Sequence, residues 1–235
     1  MINRFSNYFL SNIQQLVEII NYLFSSNLRE NKFLKSQFKN IDNLTIFDVG
    51  ANLGSYAKKV KKVLKNKNIT FFLFEPNDSL NESLKKATGK FASTINNFAI
   101  SDENGEAVLY LNKISSQSSL LKKKDLVGDL EREVDVKTVR LDTYIKNKSI
   151  KKIDILKIDV EGLELKVLES LSGVISEIEI TLIKIEIQLN NKDNLPNVIN
   201  YLNEYGYELS GFSNTKYLKN SIFFVDAYFI LVKND

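Results

Sequence analysis

The chain has 235 residues, of which 43% are apolar and 26% charged, enough to bury a sizeable core as one domain with an extension. Its net charge of +3 is too small to indicate a nucleic-acid partner. Without cysteine the chain has no disulfide, thiolate metal site or cysteine nucleophile, and without histidine it has no imidazole base or ligand. Any catalytic base must therefore be Asp, Glu, Lys or Tyr.

Residues 1–40 are predicted to form an N-terminal helical extension. Apolar residues recur there at steps of three and four, as in an amphipathic helix: Phe9, Ile13, Leu16, Ile20, Leu23 and Phe24. Polar residues interrupt the stretch too often for a signal core or a membrane span, so a cytoplasmic location is expected. The apolar face is expected to pack on the domain or on a second subunit of a homodimer, and contact with a membrane surface is the alternative.

Residues 41–235 are predicted to form one α/β domain. Strands are predicted at Thr45–Phe47, Thr70–Phe74, Phe91–Ile95, Ile153–Ile158 and Thr181–Ile187. Helical patterns follow the first, second and fourth of these runs, which indicates a mostly parallel central sheet with helices on both faces. A short antiparallel excursion is expected between the third and fourth runs, from Ala107–Leu111 to Val134–Leu141. After a helix at Leu195–Leu202, Tyr207–Phe212 and Phe223–Val232 are expected to close the sheet as an antiparallel pair.

A glycine-containing turn follows the first predicted strand, in the stretch from Phe47 to Tyr56. In open α/β sheets such a turn lets a ligand approach the backbone at the carboxyl end of a strand. A dinucleotide-binding turn would need glycines where this chain has Asn52 and Ser55, and Asp48 would repel a pyrophosphate. S-adenosylmethionine, which carries a sulfonium and an ammonium but no phosphate, suits the turn better. A turn that serves only strand-to-helix packing is the alternative.

Glu75 stands at the tip of the second predicted strand, about twenty residues past the glycine turn, and Pro76 ends that strand. An acidic residue in this position can accept hydrogen bonds from both hydroxyls of a ribose. Glu75 is therefore predicted to bind the cofactor ribose, and an ordinary solvated strand end is the alternative.

A third group of polar residues ends the fourth predicted strand. Lys157, Asp159 and Glu161 are two residues apart, so on an extended strand they would point to one side, and Gly162 permits a turn. Apolar neighbours mark this strand as central and buried, where charges need partners or a function. Glu186, at the end of the fifth predicted strand, can add another carboxylate. A surface ladder of ion pairs is the alternative.

Six segments together resemble FkbM-type S-adenosylmethionine-dependent methyltransferases, and they occur in that family's order. They are Phe47–Tyr56, Phe74–Asn77, Ala99–Asp102 with Gly105, Ser118–Leu120, Val139–Tyr144 and Leu156–Glu164. The resemblance implies a Rossmann-like methyltransferase fold. It also implies cofactor contacts at Asp48, Gly50, Asn52, Gly54, Tyr56, Glu75, Pro76, Asn97, Ala99, Ser101 and Asp102. Ser118, Ser119 and Glu186 would then lie on the acceptor side.

The resemblance further implies methyl transfer to a hydroxyl group of a small-molecule or glycan acceptor. The simplest acceptor is a carbohydrate, and the expected process is surface-polysaccharide synthesis. Asp159 is the favoured base, with Glu161 as alternative and Lys157 orienting the acceptor or the partner acid. Clustered carboxylates could instead hold Mg²⁺, and the sequence leaves this open. The rival functions are methylation of a lipid or natural product and a nucleoside-binding scaffold without catalysis.

Overall fold

The computed structural model describes residues 29–113, 118–121, 130–189, 194–218 and 221–232. The chain divides into two compact units, Met1–Lys39 and Asn40–Asp235. In the first unit, residues 29–37 are helical. The predicted amphipathic helix between Phe9 and Phe24, with its expected subunit or membrane contact, lies outside the described residues. Of the helices that are described, none combines the length and apolarity needed to cross a membrane.

The second unit is built on a seven-stranded sheet. Its strands are β1 (Asn43–Val49), β2 (Asn68–Phe74), β3 (Ala92–Asn96), β7 (Lys152–Ile158), β8 (Glu179–Gln188), β9 (Tyr207–Leu218) and β10 (Ser221–Leu231). They lie in the order β3-β2-β1-β7-β8-β10-β9. Neighbouring strands among β3, β2, β1, β7 and β8 pair in parallel, whereas β10 pairs antiparallel with both β8 and β9. The predicted parallel sheet with an antiparallel C-terminal pair is confirmed.

A smaller three-stranded sheet lies between β3 and β7 in the chain. It consists of β4 (Ala99–Ile100), β5 (Gly105–Asn112) and β6 (Leu130–Val139), in the order β4-β6-β5. Strands β5 and β6 are antiparallel, which confirms the expected excursion. Ser119 returns to this sheet through a bridge to Tyr110. Apolar side chains of Ala99, Leu109, Leu111 and Val136 form its own small core.

Among the described residues of the second unit, five α-helices accompany the sheets: α1 (Ser55–Val63), α2 (Asn81–Thr88), α3 (Leu141–Lys148), α4 (Glu164–Glu169) and α5 (Asn194–Glu204). Helix α3 was not predicted, and the extension of a strand to Leu141 is wrong. The alternation of apolar and polar residues in β6 continues into the first residues of the helix. The sequence pattern therefore does not mark where the strand ends, and only the packing of the side chains does. Leu141 and Tyr144 supply the buried face of α3, and the Tyr144 ring meets Phe74 edge-on at 4.9 Å between centroids.

The parallel strands β1, β2, β7 and β8 end at the same edge of the large sheet. In register, Val49 lies beside Phe74 on one side and beside Ile158 on the other, and Ile158 lies beside Ile185. These residues are buried, so the chain is held firmly up to the point where each strand ends. The turns that follow therefore meet at one place, which is where ligands bind in open α/β sheets.

Candidate active site

A cavity of about 260 Å³ opens at this carboxyl edge. The predicted site residues on its wall are Gly50, Asn52, Glu75, Pro76, Ala99, Ser118, Ser119, Asp159, Glu161 and Glu186. Those off the wall are Asp48, Gly54, Tyr56, Asn97, Lys157, Ser101 and Asp102. The structure thus brings the predicted base, acceptor and ribose positions together around one space.

The glycine turn begins at Gly50, which has a positive φ of +74°. Its N–H and that of Ala51 donate to the carbonyl oxygen of Phe74 at 3.0 and 3.1 Å. A Cβ atom at Gly50 would lie 1.8 Å from the carbonyl oxygen of Asp159, so only glycine lets the turns after β1 and β7 touch. Gly54 has a different task, because a Cβ there would lie 2.4 Å from the Cβ of Ala87 on α2. It permits helix packing and does not face the cavity.

Glu75 is only 8% exposed, unlike an ordinary solvated strand end. Its Oε2 accepts the N–H of Asn52 at 2.8 Å, and its Oε1 accepts the N–H of Asn77 at 3.0 Å. Burial raises the pKa of Glu75, while these two backbone donors favour the charged form and lower it. Each carboxylate oxygen keeps a second lone pair. The side chain is therefore fixed at the cavity wall, and each of its oxygens can accept one more hydrogen bond.

Lys157 lies behind the wall and joins three groups. Its Nζ is 2.7 Å from the carbonyl oxygen of Gly50, 3.0 Å from Asp48 Oδ1 and 3.2 Å from Asp159 Oδ2. Burial by itself lowers the pKa of Lys157, but the carboxylates of Asp159 and Asp48 raise it well above its ordinary value. The lysine thus stays an ammonium ion, and its three N–H groups match its three acceptors. Lys157 orients Asp159, and as an ammonium ion it cannot accept a proton from the acceptor hydroxyl.

Asp48 is fully buried, and its carboxylate pairs with Lys157. Burial raises the pKa of Asp48, and the neighbouring ammonium lowers it. The position of Asp48 after the first strand predicts contact with a positively charged ligand, but the structure places its carboxylate beneath the wall, where Lys157 already supplies the positive charge.

Three carboxylates meet on the cavity wall. One oxygen from each of Asp159, Glu161 and Glu186 lies within 4.8 Å of the others, and each residue is half-buried. Strand β7 ends at Ile158, so the three residues 157, 159 and 161 do not share one extended strand as expected. Glu161 reaches the cluster through a turn in which its own φ is +60° and that of Gly162 is +111°. Oxygen ligands this close together could bind a divalent cation.

Two residues that the sequence argument did not single out support this turn. Gln188 Nε2 donates to Glu161 Oε2 at 2.6 Å, and Glu164 Oε1 accepts the N–H of Gly162 at 2.8 Å. Glu164 is 4% exposed, and burial raises its pKa to about 7. Gln188 could have been found, because it lies two residues after Glu186 and strand alternation puts both on one face.

The other predicted contacts off the wall have partners elsewhere. Tyr56 is buried, with Lys184 Nζ 5.1 Å from its ring centroid. Asn97 Nδ2 donates to the carbonyl oxygen of Glu75 at 3.2 Å, and so supports that residue from outside. Ser101 Oγ donates to Asp102 Oδ1 at 2.9 Å, and Asp102 also pairs with Lys166.

Comparison with known proteins adds an independent observation. A sequence model of the methyltransferase FkbM domain matches residues 48–209. The hexuronic acid methyltransferase AglP of Haloferax volcanii is 24% identical over 152 residues, which are 63% of this chain and 58% of that protein. The crystal structure of a methyltransferase FkbM from Methylobacillus flagellatus KT shares the fold, with a TM-score of 0.56 and 16% identity over 80% of this chain and 44% of that one. The chain thus spans less than two thirds of either relative, and the matched range contains the glycine turn, Glu75 and all three clustered carboxylates.

Proposed function

Because the chain belongs to the methyltransferase FkbM family, we propose that it uses S-adenosylmethionine to methylate a hydroxyl group of a carbohydrate. The observation that carries the proposal is the arrangement of the cavity wall. Glu75 lines the cavity with both carboxylate oxygens fixed, and the same wall carries the clustered carboxylates of Asp159, Glu161 and Glu186. One space thus offers a nucleoside contact and a proton acceptor.

The cofactor side fits a nucleoside without phosphates. Glu75 can accept hydrogen bonds from the two ribose hydroxyls, since the backbone amides of Asn52 and Asn77 use only one lone pair on each oxygen. Gly50 brings the backbone close to the cavity, and Pro76 and Ala99 add apolar contact beside Glu75. Four carboxylates on the wall would repel a pyrophosphate.

Bound S-adenosylmethionine supplies a methyl group that its sulfonium has already activated. The protein then mainly has to align the acceptor hydroxyl with that methyl group and exclude water. The methyl group would pass from the sulfonium sulfur to the acceptor oxygen and leave S-adenosylhomocysteine, and the hydroxyl would give up its proton. In this histidine-free chain a carboxylate on the wall is the proposed proton acceptor. Asp159 is our first candidate, since Lys157 holds one of its oxygens and leaves the other for the acceptor. Glu161 is the second candidate.

The acceptor is proposed to be a neutral sugar. AglP is named for action on a hexuronic acid, and its resemblance to this chain supports a carbohydrate acceptor. However, the described residues of this cavity wall include four carboxylates and no lysine or arginine. A uronate carboxylate would be repelled there, unless a divalent cation joined it to Asp159, Glu161 and Glu186.

The test is methyl transfer from labelled S-adenosylmethionine to matched hexose and hexuronate glycosides, with and without EDTA, and to lipid and natural-product alcohols. Binding of S-adenosylhomocysteine is measured beside it by calorimetry. We expect transfer to the hexose that survives EDTA. Loss of activity with EDTA and its return with Mg²⁺ would instead identify the acid cluster as a metal site. Transfer only to lipids or other natural products would refute the carbohydrate acceptor. Binding of S-adenosylhomocysteine without transfer to any acceptor class would indicate a nucleoside-binding scaffold.

A further inference from the structure

Glu161 has a backbone conformation that residues with a side chain rarely adopt. Its φ is +60°, and the next residue, Gly162, has a φ of +111°. Such a left-handed conformation is unfavourable for glutamate and persists only where the surroundings hold it. Without this turn the chain after Asp159 would follow a different path, and the Glu161 carboxylate would leave the cluster. Something must therefore hold Glu161, and the side chains of Ser119 and Gln188 both form hydrogen bonds with it.

Ser119 holds the backbone of Glu161. Its Oγ donates to the Glu161 carbonyl oxygen at 3.1 Å and accepts the N–H of Leu121 at 3.1 Å. Ser119 is 3% exposed, and its own N–H and C=O pair with those of Tyr110 at 3.2 and 2.9 Å. The hydroxyl proton of Ser119 points to the Glu161 carbonyl oxygen, so Ser119 cannot donate the same proton to a substrate. The smaller sheet thus supports the acid cluster of the larger one.

Gln188 holds the carboxylate of Glu161. Its Nε2 lies 2.6 Å from Glu161 Oε2, and the side chain is 8% exposed at the end of β8. An ionised carboxylate can only accept hydrogen bonds, so the amide must turn its NH₂ group toward Glu161. Asp159 and Glu186 lie within 4.8 Å and repel the same carboxylate. The amide of Gln188 therefore counters a repulsion that would drive Glu161 away from its neighbours.

We propose that Ser119 and Gln188 are positioning residues that hold Glu161 in the acceptor half of the cavity. Ser119 acts on the backbone of Glu161 and Gln188 on its carboxylate. The inference rests on the proposed function, because it assigns these residues to alignment of the acceptor hydroxyl. Neither residue is given a role in cofactor binding, and this separates their effects from those of Glu75.

The experiment compares Ser119→Ala, Gln188→Met and Gln188→Glu with two controls remote from the cavity. Ser172→Ala removes a hydroxyl that accepts from Arg140 at 3.0 Å. Asn68→Asp replaces an amide that donates to Asn43 Oδ1 at 3.1 Å, at the amino ends of β1 and β2 and so at the edge of the sheet opposite to the cavity. Three quantities are measured for each variant: kcat and KM for the acceptor, the Kd of S-adenosylhomocysteine, and amide hydrogen exchange of residues 160–163.

In the three test variants we expect kcat to fall by about 10²-fold, the effect of misplacing a reacting group by about 1 Å. The Kd of S-adenosylhomocysteine should stay unchanged, and residues 160–163 should exchange faster. Both controls should keep kcat and the exchange rates. Unchanged kcat and exchange in folded test variants would overturn the proposal, as would an equal loss of cofactor affinity. If the unmutated chain transfers no methyl group, the proposed function fails, while the exchange rates still decide whether these residues hold the turn.

Discussion

Replacing Glu164 by Gln should remove a pH-dependent loss of stability. Glu164 is buried at the start of α4, where its Oε1 accepts the N–H of Gly162. Burial raises its pKa from 4.5 to about 7, the N–H groups of Gly162 and of Glu164 itself lower it, and the nearby charges of Asp159 and Glu161 raise it further. The folded protein therefore keeps this carboxyl protonated at a pH where the unfolded chain has released the proton.

The sign and size of the change in the free energy of unfolding follow from this difference in the pKa of Glu164. Below pH 4.5 both states are protonated, so the contribution of Glu164 to stability is fully present. As the pH rises from 4.5 through about 7, the unfolded chain ionises first and stability falls; above pH 7 the loss is complete. A difference of about 2.5 pH units corresponds to about 3 kcal/mol. Gln cannot ionise, so Glu164→Gln should gain about this much relative to the unmutated chain between pH 4.5 and pH 8.

Urea denaturation of both proteins across this pH range measures the effect. Only the pH-dependent part of the difference in the free energy of unfolding tests the reasoning, because exchanging OH for NH₂ changes that free energy by the same amount at every pH. Glu82→Gln is the control, since Glu82 is exposed and its hydrogen bond with Lys85 lowers its pKa, so its contribution should be flat above pH 5. A difference between Glu164→Gln and the unmutated chain that does not change with pH would refute the reasoning.

Three further predictions concern the cavity. Lys157→Met should lower the free energy of unfolding by about 3–5 kcal/mol, because it leaves Asp48 buried without its cation, and the double variant with Asp48→Asn should recover part of this in urea denaturation. Glu75→Gln should weaken S-adenosylhomocysteine binding by about 1.5–3 kcal/mol in calorimetry, and an unchanged Kd would remove Glu75 from the cofactor site. Asp159→Asn should bind S-adenosylhomocysteine normally and lose about 10²-fold or more in kcat. Normal turnover at subsaturating acceptor would pass the role of base to Glu161.

The parallel part of the fold could be predicted because its central strands, β1 and β7, are buried on both faces. Both of these strands are short, mainly apolar runs. The helical patterns that follow the predicted strands indicate parallel crossovers. The same rule places strand ends together, so Glu75, Asp159 and Glu186 could be assigned to one edge. Helix α3 could not be predicted, because Leu141 and Tyr144 become a buried face only when the aromatic rings of β1 and β2 are beside them.

The strand order of the large sheet decides which residues lie on the cavity wall and which lie behind it. Asp48 and Lys157 are neighbours across β1 and β7, a pairing that no local pattern reveals. Family resemblance could not separate them either, since supporting residues and contact residues share the same motifs. Phe224 lines the cavity because β10 pairs with β8 in one register, and that register depends on contacts distant in sequence.

The approach of Gly50 to the Asp159 carbonyl oxygen has a consequence for how such proteins diverge. Two turns in backbone contact cannot accept changes independently, because a side chain or a shifted carbonyl in one requires a matching change in the other. Substitutions in residues 48–56 and 157–164 should therefore show strong epistasis. A chimera that imports the first segment from a relative should fold poorly on its own and recover when the second segment is exchanged with it.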